Sequence, residues 1–386
     1  MNIGILTQPL RSNYGGLLQA YALLLTLRRM GHNPIVLNRR NEWPSLREYI
    51  YRIVSVLKCI FRIYIKNEKQ WIITNPFNVE YCPVRKNSQA SNSPTNDFIG
   101  KYISLTTQLH SSNALLRNVK RKKIDCLIVG SDQVWRQAYS PKITDYFLDF
   151  LCPRLHVKKI AYAASFGLEH TDISSDLLPI CRRKIKEFDA VSIREHSATS
   201  ILKNEFDCIG QQVLDPTMLL SSNDYDAIIG EEGIKRSNTG VVSYILDSSP
   251  EKDRIISHIC TRTSCTEFRM QSSEGKNSGN GIIPTVETWL QAIRDAEFVV
   301  TDSFHGCVFS IIFRKPFVAI ANTERGSDRF STLLNDLALT NRLIFSFNEF
   351  VRKESDLFSP IDYDCVYRKY DMQKEQSLQW LRAKLM

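Results

Sequence analysis

The chain has 386 residues, of which 43 % are hydrophobic and 24 % charged. This composition predicts two or three folded domains and argues against a largely disordered protein. The formal net charge of +9 suits anionic partners such as phosphorylated small molecules or anionic lipid, but an ordinary basic enzyme would carry it equally well. No aromatic-basic motif supports nucleic-acid binding.

The first residues, MNIGILT, form a strand-like run without the basic start and apolar core of a signal peptide. No stretch of eighteen or more apolar residues predicts a transmembrane helix. The ten cysteines include no CxxC pair. We therefore expect a cytoplasmic protein with reduced, mostly buried thiols, no metal site and no cofactor.

The N-terminal pattern predicts a strand, a helix and a second strand. Residues 2–7 form a buried strand, residues 17–31 carry apolar side chains at helical spacing, and residues 33–37 form another strand-like run. Gly31 lies where a glycine commonly follows the end of a helix. A βαβ unit of this kind is typical of an open parallel sheet.

Residues 43–110 interrupt this pattern as an insertion of helix and loop. Within them, residues 46–66 are apolar and aromatic with basic residues a few positions apart, which predicts a helix with a broad apolar face and a thin basic stripe. Such a helix could dock on the inner surface of a membrane. Alternatively, it could pack on the core, or against another subunit of a homo-oligomer, with the basic stripe in water.

Strand-like and helix-like segments alternate again after the insertion. We therefore predict an α/β protein with two Rossmann-like domains facing a cleft: residues 1–215, residues 216–350, and C-terminal helices over 351–386. Ligands of open α/β sheets bind where strands end and helices begin, so polar residues at those positions are the candidates for chemistry.

The first such position lies between the first strand and its helix, and it holds Asn13, Tyr14, Gly15 and Gly16. Adjacent glycines allow a ligand to approach the backbone closely, and the following helix N-terminus offers N–H groups to an anion or a hydroxyl. The alternative is a tight turn between strand and helix that binds nothing.

Two further groups follow strands of the same domain. Directly after the strand CLIV come Ser131, Asp132 and Gln133. They form either a ligand cluster or a helix cap. Arg194 closes the strand FDAVSIRE, where a guanidinium could clamp a carboxylate or phosphate. Its alternative role is a structural salt bridge, with Glu195 or Asp215 as the partner.

In the second domain the strongest candidate is His305, which follows the apolar strand EFVV and precedes the helix CVFSIIF. A histidine at such a junction can act as a general acid or bind an anion, although a lone histidine is more commonly a satisfied core residue. Asp302, Ser303 and Gly306 crowd the same turn, which favours function.

Further along the chain, Arg325 and Arg329 flank a turn of small residues between the strand FVAIAN and the helix FSTLLNDL. Two guanidinium groups at the start of a helix suit an anion site. The alternative is a solvated basic loop.

Together, these segments resemble the polysaccharide pyruvyl transferase family. The matching segments are NYGGLLQAYALL, GSDQVW, YAASFG, VSIRE, LDPTMLL, TDSFHGCVFSIIFRKPFVAI and RGSDRFSTLL. Members are similar in fold to glycosyltransferases of the two-Rossmann (GT-B) type, and they use phosphoenolpyruvate to build pyruvate ketals on surface polysaccharides or their lipid-linked precursors. The resemblance therefore implies phosphoenolpyruvate as co-substrate and a sugar as acceptor.

The resemblance also implies roles. His305 would bind phosphate and act as general acid, with Asp132 or Asp302 as general base. Several members carry Arg-x-His in the last motif; here Ser303 occupies the arginine position, so Arg325 or Arg329 would supply the missing cation. The expected donor-binding residues are Arg194, Ser303, His305, Arg325 and Arg329. The expected acceptor-binding residues are Asn13, Tyr14, Gly15, Gly16, Ser131 and Gln133.

Two other functions remain open at this point. A GT-B glycosyltransferase using a nucleotide sugar would need a nucleobase and ribose site, and no clear acidic residue marks one in the sequence. A non-catalytic carbohydrate-binding subunit of a polysaccharide assembly complex would not need the polar residues at the strand ends, which are present here.

Overall fold

A six-stranded sheet organises the first half of the chain in a computed structural model, which describes residues 1–44, 46–67, 94–230, 240–271, 282–322 and 326–386. Its strands are β1 (Asn2–Leu6), β2 (Asn33–Val36), β3 (Cys126–Asp132), β4 (Lys158–Ala164), β5 (Ala190–Ile193) and β6 (Gln211–Gln212). They lie in the order β2-β1-β3-β4-β5-β6, and all neighbours pair in parallel.

A second parallel sheet of five strands follows. Its strands are β7 (Val241–Tyr244), β8 (Glu267–Met270), β9 (Phe298–Thr301), β10 (Phe317–Ile320) and β11 (Leu343–Ile344). Their order is β11-β10-β9-β7-β8. The predicted domain boundary after residue 215 lies between the last strand of the first sheet and the first strand of the second.

Helices connect the strands of both sheets, as the crossover between parallel strands requires. They are α1 (Tyr14–Arg29), α2 (Leu46–Tyr64), α3 (Asn96–Tyr102), α4 (Ser112–Arg121), α5 (Leu178–Ile185), α6 (His196–Phe206), α7 (Ser222–Ile229), α8 (Pro250–Thr263), α9 (Val286–Asp295), α10 (Phe304–Ile312), α11 (Asp328–Asp336), α12 (Phe347–Arg352), α13 (Glu354–Phe358) and α14 (Tyr363–Leu385). Short 3₁₀ helices occupy Gln137–Tyr139, Ile143–Phe147, Pro216–Leu219 and Thr340–Arg342. Within the described ranges, none of the helices is long and apolar enough to cross a membrane.

Two helices begin earlier than the sequence predicts, and a side-chain cap explains each start. Asn13 accepts a hydrogen bond from the Gly16 amide at 3.1 Å, so α1 begins at Tyr14 instead of residue 17. Ser303 likewise accepts from the Gly306 amide at 3.4 Å, and α10 begins at Phe304. A capping side chain satisfies an N–H that has no partner within the helix. Both predicted loops are therefore first turns of helices.

The strand β3 also extends further than predicted. Ser131 and Asp132 belong to its last residues instead of following it, because the Asp132 backbone still pairs with the next strand: its carbonyl accepts from the Ser165 amide at 3.1 Å. Asp132 itself has a φ of +74°, a left-handed conformation that ends the strand.

The C-terminal helix α14 packs on both halves of the molecule. Near its start, the Tyr363 hydroxyl donates to the Lys315 carbonyl at 2.5 Å in the second domain. Further along, the Leu214 amide donates to Ser377 at 3.0 Å, and Trp380 lies 6.0 Å from the ring of Tyr162 in the first domain. The helices α13 and α14 lie within residues 351–386, and α14 ties the two sheets together.

Candidate functional site

Two adjoining pockets lie where the carboxyl ends of the two sheets face each other. The wider has a volume of about 460 Å³ and is lined by Gln8, Pro9, Leu10, Arg11, Asn13, Gly16, Asn41, Asp132, Gln133, Ala138, Tyr139 and Ser140. The narrower has a volume of about 50 Å³ and is lined by Asn13, Asp132, Gln133, Tyr139, Tyr244, Leu246, Asp302, Ser303, Phe304, His305 and Arg329. The narrow pocket draws its residues from both domains, so it exists only because the domains meet.

The N-termini of α1 and α10 meet at the narrow pocket. The ring of His305, in the first turn of α10, lies directly on Gly15 in the first turn of α1: a Cβ atom added to Gly15 would stand 1.9 Å from Nδ1 of His305. A glycine is therefore required here for close approach. Both helix N-termini carry positive potential, which favours an anion between them.

His305 is held on its other side by Asp215. The Nε2 atom of the ring lies 3.7 Å from Oδ2 of Asp215, within reach of an ion pair though beyond normal hydrogen-bond length. Burial acts to raise the pKa of Asp215, but His305 and then Arg194 outweigh it and hold that pKa well below its usual value. Asp215 is thus a buried, ionised carboxylate that orients the imidazole.

Arg194 stands among three carboxylates. Its guanidinium lies 2.8 Å from Asp215, 3.2 Å from Asp132 and 3.7 Å from Glu195, and it is only 4 % exposed. Burial acts to lower the pKa of Arg194, yet the carboxylates of Asp132, Asp215 and Glu195 hold it above its usual value. The structural salt bridge, the alternative drawn from the sequence, is therefore what the structure contains, and Arg194 does not line either pocket.

Arg329 is the buried guanidinium that lines the narrow pocket. Burial lowers its pKa, and the like charge of Arg194 lowers it further, to about 10. A pKa of about 10 leaves the guanidinium charged at neutral pH, so Arg329 can attract an anion in the narrow pocket. Arg329 is one of the two cations that the sequence offers in place of the arginine absent at Ser303. The other candidate, Arg325, lies outside the described residues.

Asp132, Gln133, Asn13 and Tyr139 line both pockets and so mark their shared border. The Asp132 carboxylate accepts from Arg194 at 3.2 Å, which fixes its position. The Gln133 side chain accepts from Arg136 at 3.1 Å. A base at this border can reach a molecule in either pocket, which suits Asp132 for the predicted role of general base.

Asp302 has a different environment from Asp132. Its carboxylate accepts from the Leu246 amide at 2.6 Å, the Asp247 amide at 3.2 Å, Lys252 at 2.7 Å and Asn322 at 3.3 Å. These donors come from the loop after β7, from α8 and from the end of β10. Asp302 therefore connects three segments near His305. This suits it for positioning the first turn of α10 more than for proton transfer.

Three residues expected at the acceptor, Tyr14, Gly15 and Ser131, do not line either pocket, and Gly15 instead touches the ring of His305. Tyr14 is buried, its ring stacks on Trp289 at 5.6 Å, and its hydroxyl donates to the Pro284 carbonyl at 2.6 Å. Ser131 is buried and donates to the Ala163 carbonyl at 3.1 Å. Tyr14 joins the two domains because α1 starts three residues earlier than predicted and turns its first side chain into the second domain.

Sequence reasoning missed several residues of the site. Asp215 was considered only as a partner of Arg194, although it caps the 3₁₀ helix Pro216–Leu219 by accepting from the Thr217 amide at 3.0 Å. Tyr139 and Asn41, which line the wide pocket, do not directly follow a strand that the sequence predicts. Lys252 lies within a helix, where its contact with Asp302 carries no local signal. Of these residues Asp215 had a local signal, because an aspartate before a proline is a common helix cap.

In the part of the chain that the structure describes, no group of three or more His, Cys, Asp or Glu side chains could hold a metal ion. The site presents an imidazole, a guanidinium, two helix N-termini and the carboxylates of Asp132 and Asp302. These groups suit a substrate with clustered negative charge and a reaction that moves protons.

Comparison with solved structures identifies the fold. A UDP-N-acetylglucosamine 2-epimerase from Rickettsia bellii matches with a TM-score of 0.52 and 10 % identity over 99 % of this chain and 95 % of that one. A UDP-GlcNAc 2-epimerase from Neisseria meningitidis bound to UDP-GlcNAc matches with a TM-score of 0.49 and 9 % identity over 100 % and 99 %. The predicted GT-B-like fold of two Rossmann-like domains is confirmed.

No curated protein sequence matches the chain. The family model described as polysaccharide pyruvyl transferase matches residues 13–324. This range begins at the residue that caps α1, includes His305 and Asp215, and spans both halves of the cleft. The chain therefore belongs to the polysaccharide pyruvyl transferase family.

Proposed function

We propose that the protein transfers the pyruvyl group of phosphoenolpyruvate to two hydroxyls of a sugar, forming a pyruvate ketal. Family membership makes it a transferase of polysaccharide biosynthesis. The observation that supports this donor is the placement of His305 between two helix N-termini, with Arg329 in the same narrow pocket. Phosphoenolpyruvate carries a phosphate and a carboxylate close together, and each needs a cation or a helix N-terminus.

In this proposal the donor's anionic groups bind in the narrow pocket, its reacting carbon lies at the border of the two pockets, and the wide pocket takes the sugar. Arg329 and the N-terminus of α10 bind the donor's anionic groups, and Ser303 offers its hydroxyl beside them. The wide pocket has amide and hydroxyl groups for a sugar, including those of Gln8, Asn41 and Tyr139. Asp132 lies at the border, where a sugar hydroxyl would meet the donor.

The proposed chemistry balances without a further reactant. His305 donates a proton to the methylene carbon of phosphoenolpyruvate, while the oxygen of one sugar hydroxyl bonds to the adjacent carbon and Asp132 takes its proton. The bond from that carbon to the phosphate oxygen breaks, and the second hydroxyl closes the ketal. One of the two hydroxyl protons replaces the proton that His305 gave to the new methyl group, and the other leaves with phosphate. The donor's own carboxylate stabilises the positive charge that develops at the reacting carbon.

The acceptor in this proposal is a saccharide unit of a capsular polysaccharide or exopolysaccharide, carried on a lipid-linked precursor. A wide, polar pocket beside the donor site is consistent with a sugar larger than a single ring. Galactose-, mannose- and glucose-bearing acceptors are the probes to compare, because their neighbouring hydroxyl pairs differ in orientation.

The test is phosphate release from phosphoenolpyruvate by the purified protein with each acceptor. We expect acceptor-dependent release that falls by about 10²- to 10⁴-fold in His305→Ala, since a positioned general acid contributes on that order. His258→Ala is the matched control: His258 lies on α8 of the same domain, pairs with Glu354 at 2.9 Å, and should leave release unchanged.

Two results would contradict the proposal. One is full turnover by His305→Ala. The other is no release with any acceptor, combined with thermal stabilisation by a nucleotide sugar and not by phosphoenolpyruvate. The second result would point to a glycosyltransferase on the same fold.

A further inference from the structure

Helix α2 presents an unusual surface. Of its 19 residues only Cys59 is buried. Its most exposed apolar side chains are Leu46 (78 %), Tyr64 (75 %), Tyr51 (73 %), Leu57 (59 %), Ile50 (55 %) and Phe61 (50 %). Soluble proteins rarely leave so many large apolar side chains together in water, and such patches commonly mark an interaction surface.

The exposed apolar side chains form one stripe along the helix. Leu46, Ile50, Leu57, Phe61 and Tyr64 follow each other at the spacing of one face of a helix, with Ile53 and Val54 filling the gap. The buried Cys59 lies on a different side, so the helix contacts the protein with one face and turns the apolar stripe outward. We define these seven residues as the α2 stripe.

Basic residues border this stripe on one side. Arg47, Lys58 and Arg62 each follow a stripe residue directly in sequence, which places each about 100° further around the helix in the same sense. The one acidic residue of the helix is Glu48. An apolar stripe with a cationic border is the pattern of a helix that lies in the interface of an anionic bilayer.

The chain positions α2 close to the wide pocket. Asn41, which lines that pocket, precedes the start of the helix by one short segment. The chain just before Asn41 is anchored: the buried Arg39 pairs with Asp145 at 2.7 Å, and Arg40 donates to the Leu10 carbonyl at 3.0 Å. The helix therefore begins a few residues from the pocket that the proposed function gives to the acceptor.

We infer that α2 is a docking surface for an anionic lipid bilayer, and that it brings the mouth of the wide pocket to the membrane. The second half of this inference rests on the proposed function, because it concerns access of a lipid-linked acceptor. A second copy of the chain fits the stripe less well, since an antiparallel two-fold pairing of two stripes brings their cationic borders to the same side, whereas an anionic bilayer attracts that border.

The test is co-sedimentation of the full chain with vesicles of phosphatidylcholine, with and without phosphatidylglycerol. We expect binding to the anionic vesicles that weakens as salt is added, because surface charges are screened. Leu57→Gln with Phe61→Gln should weaken this binding by about a hundredfold or more, since each side chain would otherwise be buried in the bilayer. The triple variant Arg47→Gln, Lys58→Gln, Arg62→Gln should weaken it by roughly a hundredfold.

A matched control removes three basic side chains from another long helix. Arg368→Gln, Arg382→Gln and Lys384→Gln on α14 lower the net charge equally but lie beside no exposed apolar stripe, and should reduce vesicle binding much less. The inference is overturned if the wild-type chain does not prefer anionic vesicles. It is likewise overturned if the triple α14 variant loses vesicle binding as completely as the triple variant of Arg47, Lys58 and Arg62. It is also overturned if the α2 stripe variant converts a dimer to a monomer in sedimentation while vesicles bind neither form.

Phosphate release with a short water-soluble acceptor separates this inference from the proposed function. The α2 variants should release phosphate at the wild-type rate in that assay, because α2 contributes no residue to either pocket. An intact rate with lost vesicle binding supports the docking surface. An intact rate with unchanged vesicle binding overturns the docking surface and leaves the proposed function standing.

Discussion

Two buried arginines pack against the ring of Phe304, and they differ in the charged groups around them and in the pKa of the guanidinium. The Arg194 guanidinium lies 4.6 Å from the ring centroid and Arg329 lies 5.8 Å from it. Arg194, from the first domain, is surrounded by three carboxylates, and its pKa is above the usual value. Arg329, from the second domain, has its pKa lowered to about 10. The two guanidinium groups therefore differ in their surroundings: Arg194 is enclosed by carboxylates, whereas Arg329 lines the narrow pocket.

The largest expected effect on stability comes from Arg194→Met. The change leaves Asp132, Asp215 and Glu195 buried without their shared cation, and breaking a buried ion pair typically costs about 3–5 kcal/mol. The free energy of unfolding, measured by urea titration, should fall by that amount. Arg262→Met, at a side chain that is 64 % exposed, is the control and should change it by less than about 0.5 kcal/mol. Equal stability of the two variants would contradict the structural role of Arg194.

The next effect is on ligand binding and comes from Arg329→Met. We expect the dissociation constant for phosphoenolpyruvate, measured by calorimetry, to rise by about 10- to 100-fold, the loss expected for hydrogen bonds to a charged group. The free energy of unfolding should change less than in Arg194→Met, because burial lowers the pKa of Arg329 whereas three carboxylates raise that of Arg194. Arg329→Lys should recover part of the affinity, since lysine keeps the charge but not the planar fork. Unchanged affinity in Arg329→Met would show that another cation binds the donor.

A smaller effect is expected where the two halves of the site touch. Gly15→Ala would place a methyl group 1.9 Å from Nδ1 of His305, whereas the added methyl of Gly100→Ala, on α3, would meet no atom within 4 Å. Overpacking of this kind costs about 1–3 kcal/mol. Phosphate release should fall in Gly15→Ala and remain near wild type in Gly100→Ala. Equal rates would show that the ring of His305 moves without consequence.

The smallest expected effect is on how the free energy of unfolding depends on pH in the acidic range. The folded protein holds the pKa of Asp215 below its usual value, so the unfolded chain binds this proton more readily. The contribution of Asp215 to stability is therefore fully present above about pH 4, the usual pKa of an aspartate, and is lost as the pH falls through the lower folded value. The free energy of unfolding should be measured as the pH is lowered from about 6 through the range where carboxylates titrate. It should depend less on pH in Asp215→Asn than in the wild type. Asp149→Asn is the control and should keep the wild-type slope.

Much of the fold is predictable from the sequence because its elements carry local signals. The strand predicted over residues 2–7 spans Asn2–Leu6 in the structure, and the apolar run before His305 forms β9. The strands β6, β8 and β11 were not predicted, since β6 and β11 have two residues each and half of the residues in β8 are charged. Their place in the sheets comes from pairing with neighbours that are distant in sequence.

The position of a site residue was predictable where it follows a strand, and not where it depends on contacts with residues distant in sequence. His305 and Arg329 were predicted from their positions after strands, and both line the narrow pocket. The role of Arg194 was left open because its partners Asp132 and Asp215 are far from it in sequence. Tyr14 was assigned to the acceptor because the sequence does not show that Asn13 caps the helix and directs the next side chain into the other domain.

The contact between Tyr14 and the second domain has a consequence for the entropy of the reaction. Tyr14 is locked between domains by Trp289 and the Pro284 carbonyl, and the adjacent Gly15 touches His305. The packing that aligns the two domains therefore also sets the distance between the sites for the two proposed reactants. Because the two sites are positioned when the chain folds, the protein loses less conformational entropy when the substrates bind. The two bound substrates can then react as if they were parts of one molecule.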